Sequence, residues 1–580
     1  MSKNFCIKFF LIGLAVIVFT FPQAAPANDK DDLEGYWNGY YGKIFPAEKS
    51  TFFWDVLAKA RVDECFYGLQ DARNRPSFNA VFPGDFSSAQ INACISDTGK
   101  PKVNQAYVWG LAKSGDHVWF GTVANTLCLV FNGFYGPLTP SPMVNESWAC
   151  EMNYKDVRPP RIFMYDTKTK QLTDKTQSVL DSGTADRTRL MTTSGLRSAG
   201  AHKNVVILGG IASGGVSMFA FNARTGDYLG SILYTQYNNI RQWRVINNEL
   251  YTGVGKRSGG EVLRWTGSVS DPFQFETVGE LTGDPAYLVK HDNRIFASTW
   301  GGPSDSGGTV LYMSPLFGSD KKLTAADAAN WKIKWKLSDY EVEPAAFQVG
   351  GALESFDGYL YWGTMHVPGT GLVYFSQMYP DAEAGVAAFL GTYRPIVLFR
   401  GKQFETKKER IELLYGTSHL PKYDTAAARW TIVPNNMGQA PKYGLAGINN
   451  FFNNYTWAMQ VYKDQLFIGT MDWLYLGGAI AGSLGIEIPE NIVTLARSRF
   501  DGADLWTFQS AGRPADPVNL NGMSNYLNYG IRTMVADKDF LYIGTANPMN
   551  LATDPTKPDG GWELIRLYDQ KTKNKLMYLD

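Results

Sequence analysis

VYKDQLFIGT, residues Val461–Thr470, is the stretch whose reading decides the fold. A polar turn at Tyr462-Lys463-Asp464 joins one apolar strand to a second that ends in Gly469-Thr470. The second strand recurs as VWFGT at Val118–Thr122, VVILGG at Val205–Gly210 and LYTGV at Leu250–Val254. It appears again as IFAST at Ile295–Thr299, LYWGT at Leu360–Thr364 and LYIGT at Leu541–Thr545. A third strand follows each after a variable loop, as in GEVLRW (Gly260–Trp265), TVLYM (Thr309–Met313) and WELIRLY (Trp562–Tyr568). A fourth carries Asp and then an aromatic, as in FDGADLWTF (Phe500–Phe508) and DPFQFETV (Asp271–Val278).

Four antiparallel strands per unit cannot bury both faces of their sheet alone, and stacking such sheets around an axis solves this. The 45 residues from Val254 to Thr299 match a blade of about 40–50 residues. Seven units predict an all-β chain folded as a seven-bladed β-propeller over residues 103–580. Thr364 to Thr470 is 106 residues, and Leu413-Leu414-Tyr415-Gly416-Thr417 inside it repeats the phrase, so eight blades are the alternative. YDQKTKNKLMYL at Tyr568–Leu579 resembles YDTKTKQLT at Tyr165–Thr173, which predicts that the C-terminal residues supply their own outer strand. Residues 28–102 lack the phrase and are read as an N-terminal cap, with a short helix between Phe53 and Leu69. The repeats resemble those of exported bacterial propellers with LY[IV]GT-type phrases and degenerate Asp-box-like outer strands, loosely similar to sialidase blades. The resemblance implies a fold. The Asp box is incomplete throughout, so no glycosidase activity follows.

Composition agrees: 14% aromatic residues and 58 glycines suit an all-β chain with many turns. Lys+Arg and Asp+Glu are both 55, which argues against nucleic acid as a partner. Lys3, Lys8, the apolar run Phe9–Phe21 and Ala25-Pro26-Ala27 read as a signal peptide over residues 1–27. That predicts a secreted or periplasmic protein, with no transmembrane segment after cleavage. Four cysteines then remain, Cys65, Cys94, Cys128 and Cys150, allowing three pairings. Cys65–Cys94, inside the cap, and Cys128–Cys150 are favoured because each closes a short loop.

Aligning the units places Trp109, Arg197, Arg241, Ala286, Gly351, Trp457 and Arg532 at one position of the first strand. Arginines at the mouth of a common channel would grip an anion, and tryptophans beside them would stack on a ring or a guanidinium. The competing reading pairs each arginine with an acid of a neighbouring blade. Long loops at 124–159, 365–393 and 471–490 fall on one face; Gly371–Leu390 and Trp473–Ile488 read as apolar helical or hairpin inserts, a lid or a ligand wall. His117, His202 and His291 fall at hairpins of the opposite face, which argues against a multi-histidine metal site. His366 and His419 share the context Gly-Thr-x-His-x-Pro and are the candidate proton-transfer residues, against the simpler reading of loop histidines bonded to backbone. Asp472 and Asn547 stand at equivalent loop starts.

Two functions follow. One is a module binding an anionic or aromatic small molecule, a glycan or a protein partner through one face. The other is a hydrolase or lyase on a carboxylated or sulfated substrate, with the arginines holding the anion and His366 or His419 moving protons. The sequence specifies no metal and no cofactor, and it leaves open whether the chain is an enzyme.

Overall fold

The computed structural model describes residues 51–69, 71–74, 84–135, 143–150, 158–300, 309–341, 348–367, 369–382, 386–477 and 501–577, with Leu33, Tyr36 and Glu343. The expected signal peptide and most of Trp473–Ile488 lie outside them. The fold is mostly β. The chain divides into two compact units: Thr51–Ile240 with Gly267–Phe273 and Asn521–Asp580, and Arg241–Thr266 with Gln274–Leu520 and Met1–Ser50.

The first unit carries three four-stranded antiparallel sheets. Sheet 1 is Gln105–Ser114, His117–Ala124, Ile162–Asp166 and Gln171–Asp174. Sheet 2 is Thr193–His202, Val205–Ala212, Gly215–Asn222 and Tyr228–Tyr234. Sheet 7 is Gly530–Ala536, Leu541–Ala546 and Glu563–Asp569, completed by Phe52–Lys59. Trp119 and Phe221 help fill the core between sheets 1 and 2, and Phe120, Phe163 and Trp562 the core between sheets 1 and 7. Both disulfides belong to this unit, paired as the sequence favours: Cys65–Cys94 and Cys128–Cys150.

The second unit carries sheets 3 to 6. Sheet 3 is Asn239–Ile246 (its first two residues belong to the other unit), Glu249–Lys256, Gly259–Trp265 and Phe275–Leu281. Sheet 4 is Asp284–His291, Arg294–Trp300, Val310–Met313 and Lys332–Lys336. Sheet 5 is Gln348–Phe356, Tyr359–His366, Leu398–Lys402 and Arg410–Gly416. Sheet 6 is Asn453–Tyr462, Gln465–Asp472, Leu505–Phe508 and Asp516–Asn519. Aromatic rings join successive sheets, as where Trp335 meets Phe399 with centroids 4.7 Å apart and Tyr361 meets Phe508 at 5.5 Å.

All seven recurring phrases lie in second strands, and the packing explains their spelling. A side chain at Gly121 would collide with Leu196, at Gly363 with Thr456 and at Gly544 with Val108, each on the first strand of a neighbouring sheet. The glycine therefore lets that strand approach. The threonine hydroxyl accepts a backbone N–H at or just before the third strand: Arg161 to Thr122 (2.8 Å), Val397 to Thr364 (3.0 Å), Asp504 to Thr470 (3.0 Å) and Glu563 to Thr545 (2.9 Å). These N–H groups are buried where the ladder has no other acceptor for them.

Several expectations are corrected. Leu413–Gly416 belongs to the fourth strand of sheet 5. The chain then forms a separate hairpin, His419–Asp424 with Arg429–Pro434. An apolar run ending in glycine reports burial, not its place within a sheet. Leu505–Phe508 is a third strand, and Asp516–Asn519 takes the fourth position. The expected C-terminal outer strand is instead a helix, Gln570–Leu576, capped where Thr572 N–H donates to Asp569 (2.8 Å). The expected helix within Phe53–Leu69 is instead the strand Phe52–Lys59, which fills the open edge of sheet 7. Its aromatic start, Phe52-Phe53-Trp54, suits a strand.

Candidate functional site

The position singled out by aligning the repeats has a structural meaning. In sheets 1, 2, 4, 5, 6 and 7 the ladder between first and second strands skips there. Trp109 falls between the Val108 and Gly110 pairs, and Leu196-Arg197 between Gly195 and Ser198. Ala286 falls between Pro285 and Tyr287, and Gly351-Ala352 between Gly350 and Leu353. Trp457 falls between Thr456 and Ala458, and Arg532 between Ile531 and Thr533. A bulge residue leaves the ladder, and its side chain is re-aimed out of the strand's alternation.

In the second unit the aligned position of sheet 3 is Arg241, near the start of the strand Asn239–Ile246. Its guanidinium lies 3.9 Å from the Trp300 ring centroid and 5.7 Å from that of Tyr287. The residue is only 5% exposed, yet Nε and Nη1 have no hydrogen-bond partner among the described residues. Among the described residues, four other buried arginines hold carboxylates. Arg161 pairs with Asp174 and Asp85, Arg264 with Glu249 and Glu276, Arg394 with Glu341 and Arg400 with Glu412. Burying an uncompensated charge is costly. Tyr287 also donates its hydroxyl to the Trp457 carbonyl (2.9 Å). Trp457 is buried edge-on to Tyr455, with centroids 5.2 Å apart.

In the first unit the column gathers Trp109, Arg197 and Arg532. The Arg197 guanidinium lies 5.1 Å from the Trp109 ring, and Nη1 donates to Asn239 Oδ1 (2.9 Å). Tyr107 stands beside Trp109 at 6.4 Å, and its hydroxyl is hydrogen-bonded to that of Tyr529. Burial pushes the Tyr529 hydroxyl up, against the pull of Arg532.

Asp472 ends its second strand, Asn547 directly follows one, and both are buried. Asp472 accepts from Leu474 N–H (2.8 Å) and Asn450 Nδ2 (2.9 Å). Asn450 Nδ2 is also 3.2 Å from Asp504, which accepts from Asn453 Nδ2 (2.7 Å). Burial first, then the neighbouring Asp504 carboxylate, hold Asp472 well above the usual carboxylate range. Asn547 donates to the Asp559 carbonyl (2.8 Å) and to Asn528 Oδ1 (3.3 Å). Asn528 and Asn525 in turn donate to Glu563 at 2.7 and 3.1 Å. Sequence reasoning missed these asparagines. Their signal is the spacing Gly-x-x-Asn-x-x-Asn at Gly447–Asn453 and Gly522–Asn528, each 17 residues ahead of its phrase threonine.

The two candidate proton-transfer histidines are not equivalent. His366 ends the second strand of sheet 5, buried with its ring edge-on to Tyr393 at 5.7 Å. Burial and then the Arg394 charge pull its pKa down to about 3. His419 opens the separate hairpin, exposed, with Nδ1 3.0 Å from Ser418 Oγ. His117, His202 and His291 stand at first hairpins as expected, His291 buried with Nδ1 2.8 Å from Ser355 Oγ. Among the described residues no three His, Cys, Asp or Glu side chains form a metal-binding group, and no helix is long and apolar enough to cross a membrane.

No family model matches the chain, and no curated protein matches it. Solved structures similar to parts of it include the computationally designed Ika8 protein, at 10% identity and TM-score 0.30 over 80% of this chain and 96% of that one. A luciferin-regenerating enzyme is similar at 9% identity and TM-score 0.30, over 63% of this chain and 88% of that one. A prolyl endopeptidase is similar at 8% identity and TM-score 0.35, over 80% of this chain and 50% of that one. Likenesses of this size carry no argument about function, which rests on the site.

Proposed function

We propose that this chain is an exported, seven-bladed β-propeller of the LY[IV]GT-repeat kind that binds an anionic ligand, with Arg241 as the anion's anchor. Six four-stranded meanders, and a seventh sheet completed by Phe52–Lys59, support the fold, and the bulge common to six of the first strands supports a recurring functional position. The signal-like N-terminus and two disulfides support a secreted or periplasmic location. A single observation carries the function: Arg241 is buried on Trp300 without a carboxylate, while the buried Arg161, Arg264, Arg394 and Arg400 each hold one. An anion would supply the missing acceptors bidentately. The hydrolase or lyase alternative is less favoured, because burial and Arg394 make His366 a weak base, its pKa pulled down to about 3, and His419 stands on a separate hairpin.

Thermal melts with acetate, sulfate and glucuronate test this. An anion at 100 times its Kd should add about 2.7 kcal/mol of stability. Arg241→Met should abolish the response. Without any anion it should melt above wild type, because an unpaired buried charge has been removed. A wild-type protein indifferent to every anion, or an unchanged response in Arg241→Met, refutes the reading.

A further inference from the structure

We propose that Asp63 and Asn104 form a proton-operated clasp, a carboxylic acid paired with a carboxamide, that keeps the neck of the N-terminal cap shut and releases it when the proton leaves.

The two residues stand where the cap joins sheet 1. Asp63 precedes the strand Glu64–Phe66, and Asn104 precedes the first strand of sheet 1, Gln105–Ser114. Between them lie that cap strand, the helix Ser88–Ser96 and the strand Lys100–Lys102, which pairs back on Glu64–Phe66. The Asp63 N–H donates to the Lys102 carbonyl (3.1 Å), and Cys65–Cys94 staples the same loop. Beyond the neck, Phe66 and Leu69 pack on Ala149 and Leu551, which lie between the second and third strands of sheets 1 and 7.

Hydrogen-bond accounting places the proton. Asp63 and Asn104 are both buried. Asp63 Oδ1 accepts from the Asn104 backbone N–H (2.8 Å) and from Nδ2 (3.0 Å), and Nδ2 also donates to Glu64 (2.9 Å). The Asn104 amide therefore gives its hydrogens to two acids, while its Oδ1 has no donor among the described residues. Exchanging the amide nitrogen and oxygen would set the oxygen against both acids, so the orientation stands. A buried acceptor left without a donor is costly. A proton on the second Asp63 oxygen supplies that donor, and acid and amide then exchange two hydrogen bonds.

The surrounding charges agree. Glu64 is held by Arg158 (2.8 Å) and Lys102 (3.7 Å), and Arg161 is held by Asp85 and Asp174. Among the described residues no cation is left in ion-pair contact with Asp63, so as an anion it would be buried without compensation. Burial, helped by the Glu64 and Asp85 charges, raises its carboxyl to about 7 against the pull of the Asn104 N–H and Arg161. The ordinary value is 3.8, so the shut cap keeps a proton that an open one loses. The clasp is at full strength below about pH 3.8, and its contribution is lost as pH rises through about 7.

Hydrogen exchange on the full chain, corrected for the intrinsic rate at each pH, tests this at residues 63–66 and 102–105. In wild type the opening constant should rise about tenfold per pH unit between about pH 5 and pH 7 and level off beyond. The strand Val205–Ala212 should not follow it. Asp63→Asn, whose amide supplies the missing donor at every pH, should show no slope and open at least tenfold less than wild type at about pH 8. If that variant does not fold, Asp63→Ser, which keeps a hydroxyl donor and does not titrate, takes its place and should also show no slope. A wild-type neck that opens equally at both ends of the pH range overturns the clasp, and so does a variant that keeps the wild-type slope.

Discussion

Gly447–Trp457 and Gly522–Arg532 enter the first strands of sheets 6 and 7 by the same path. Gly447, Ile448 and Asn449 have φ of 76°, 55° and 67°; Gly522, Met523 and Ser524 have 65°, 59° and 74°. Asn453 donates to the Gly447 carbonyl at 3.0 Å, and Asn528 to the Gly522 carbonyl at 2.9 Å. Each second asparagine also donates to an acid at the edge of the third strand, Asp504 or Glu563, at 2.7 Å. The backbone device is shared, and what it presents is not. One copy ends in Trp457 and faces Asp504 with a second carboxylate, Asp472; the other ends in Arg532 and faces Glu563 with the neutral Asn547. The scaffold fixes where the bulge side chain stands, which leaves the chain free to vary its chemistry from sheet to sheet.

The largest test removes the shared part. Asn528→Ala and Asn453→Ala should each cost about 3 kcal/mol, because a buried carboxylate loses its donor and the loop loses its tie. Chemical denaturation measures both, and unequal costs would break the likeness of the two loops. A smaller effect addresses the difference. Asp472 binds its proton more tightly folded than unfolded, where its value is about 3.8. Its contribution is therefore fully present below about pH 3.8 and is lost as pH rises through the folded value. Asp472→Asn, which copies Asn547, should stabilise the protein by about 1–2 kcal/mol at pH 7 and bring no gain near pH 3.5. Equal denaturation midpoints for variant and wild type at pH 7 would refute this. The smallest effect is Gly447→Ala, about 1 kcal/mol for a left-handed residue gaining a side chain. Gly522→Ala should cost more, since its side chain would run into the Asn525 carbonyl.

Much of the fold is legible in the sequence because each sheet is local. A strand, a polar turn and a Gly-Thr ending recur within about 45 residues. The bulge column is legible too, because counting back from the phrase finds the same ladder position in six of the sheets. Phe52–Lys59 is not legible as part of sheet 7, since its partner Glu563–Asp569 lies at the other end of the chain and no local pattern names it. Leu413–Gly416 misleads because third and fourth strands are as apolar as second ones. The likeness of His366 to His419 misleads because shared neighbours in sequence do not place two residues at equivalent points of two sheets. At the site, residue types are legible and partners are not. Arg241 and Arg400 look alike in sequence, and only the third dimension gives Glu412 to one and leaves the other without an acid.

The Phe52–Lys59 strand sets an order of events for making the molecule. Its seat does not exist until Glu563–Asp569 has been synthesised and delivered, so the first strand among the described residues waits for one made about 500 residues later before it can dock. A nascent chain halted short of residue 563 would keep an aromatic edge segment, Phe52-Phe53-Trp54, in search of a partner. Joining such distant ends is slow to achieve but insensitive to what lies between, since doubling the intervening length adds only about 0.6 kcal/mol to the closure cost. Loops between sheets can therefore lengthen with little penalty, while deleting Phe52–Lys59 reopens the edge of sheet 7.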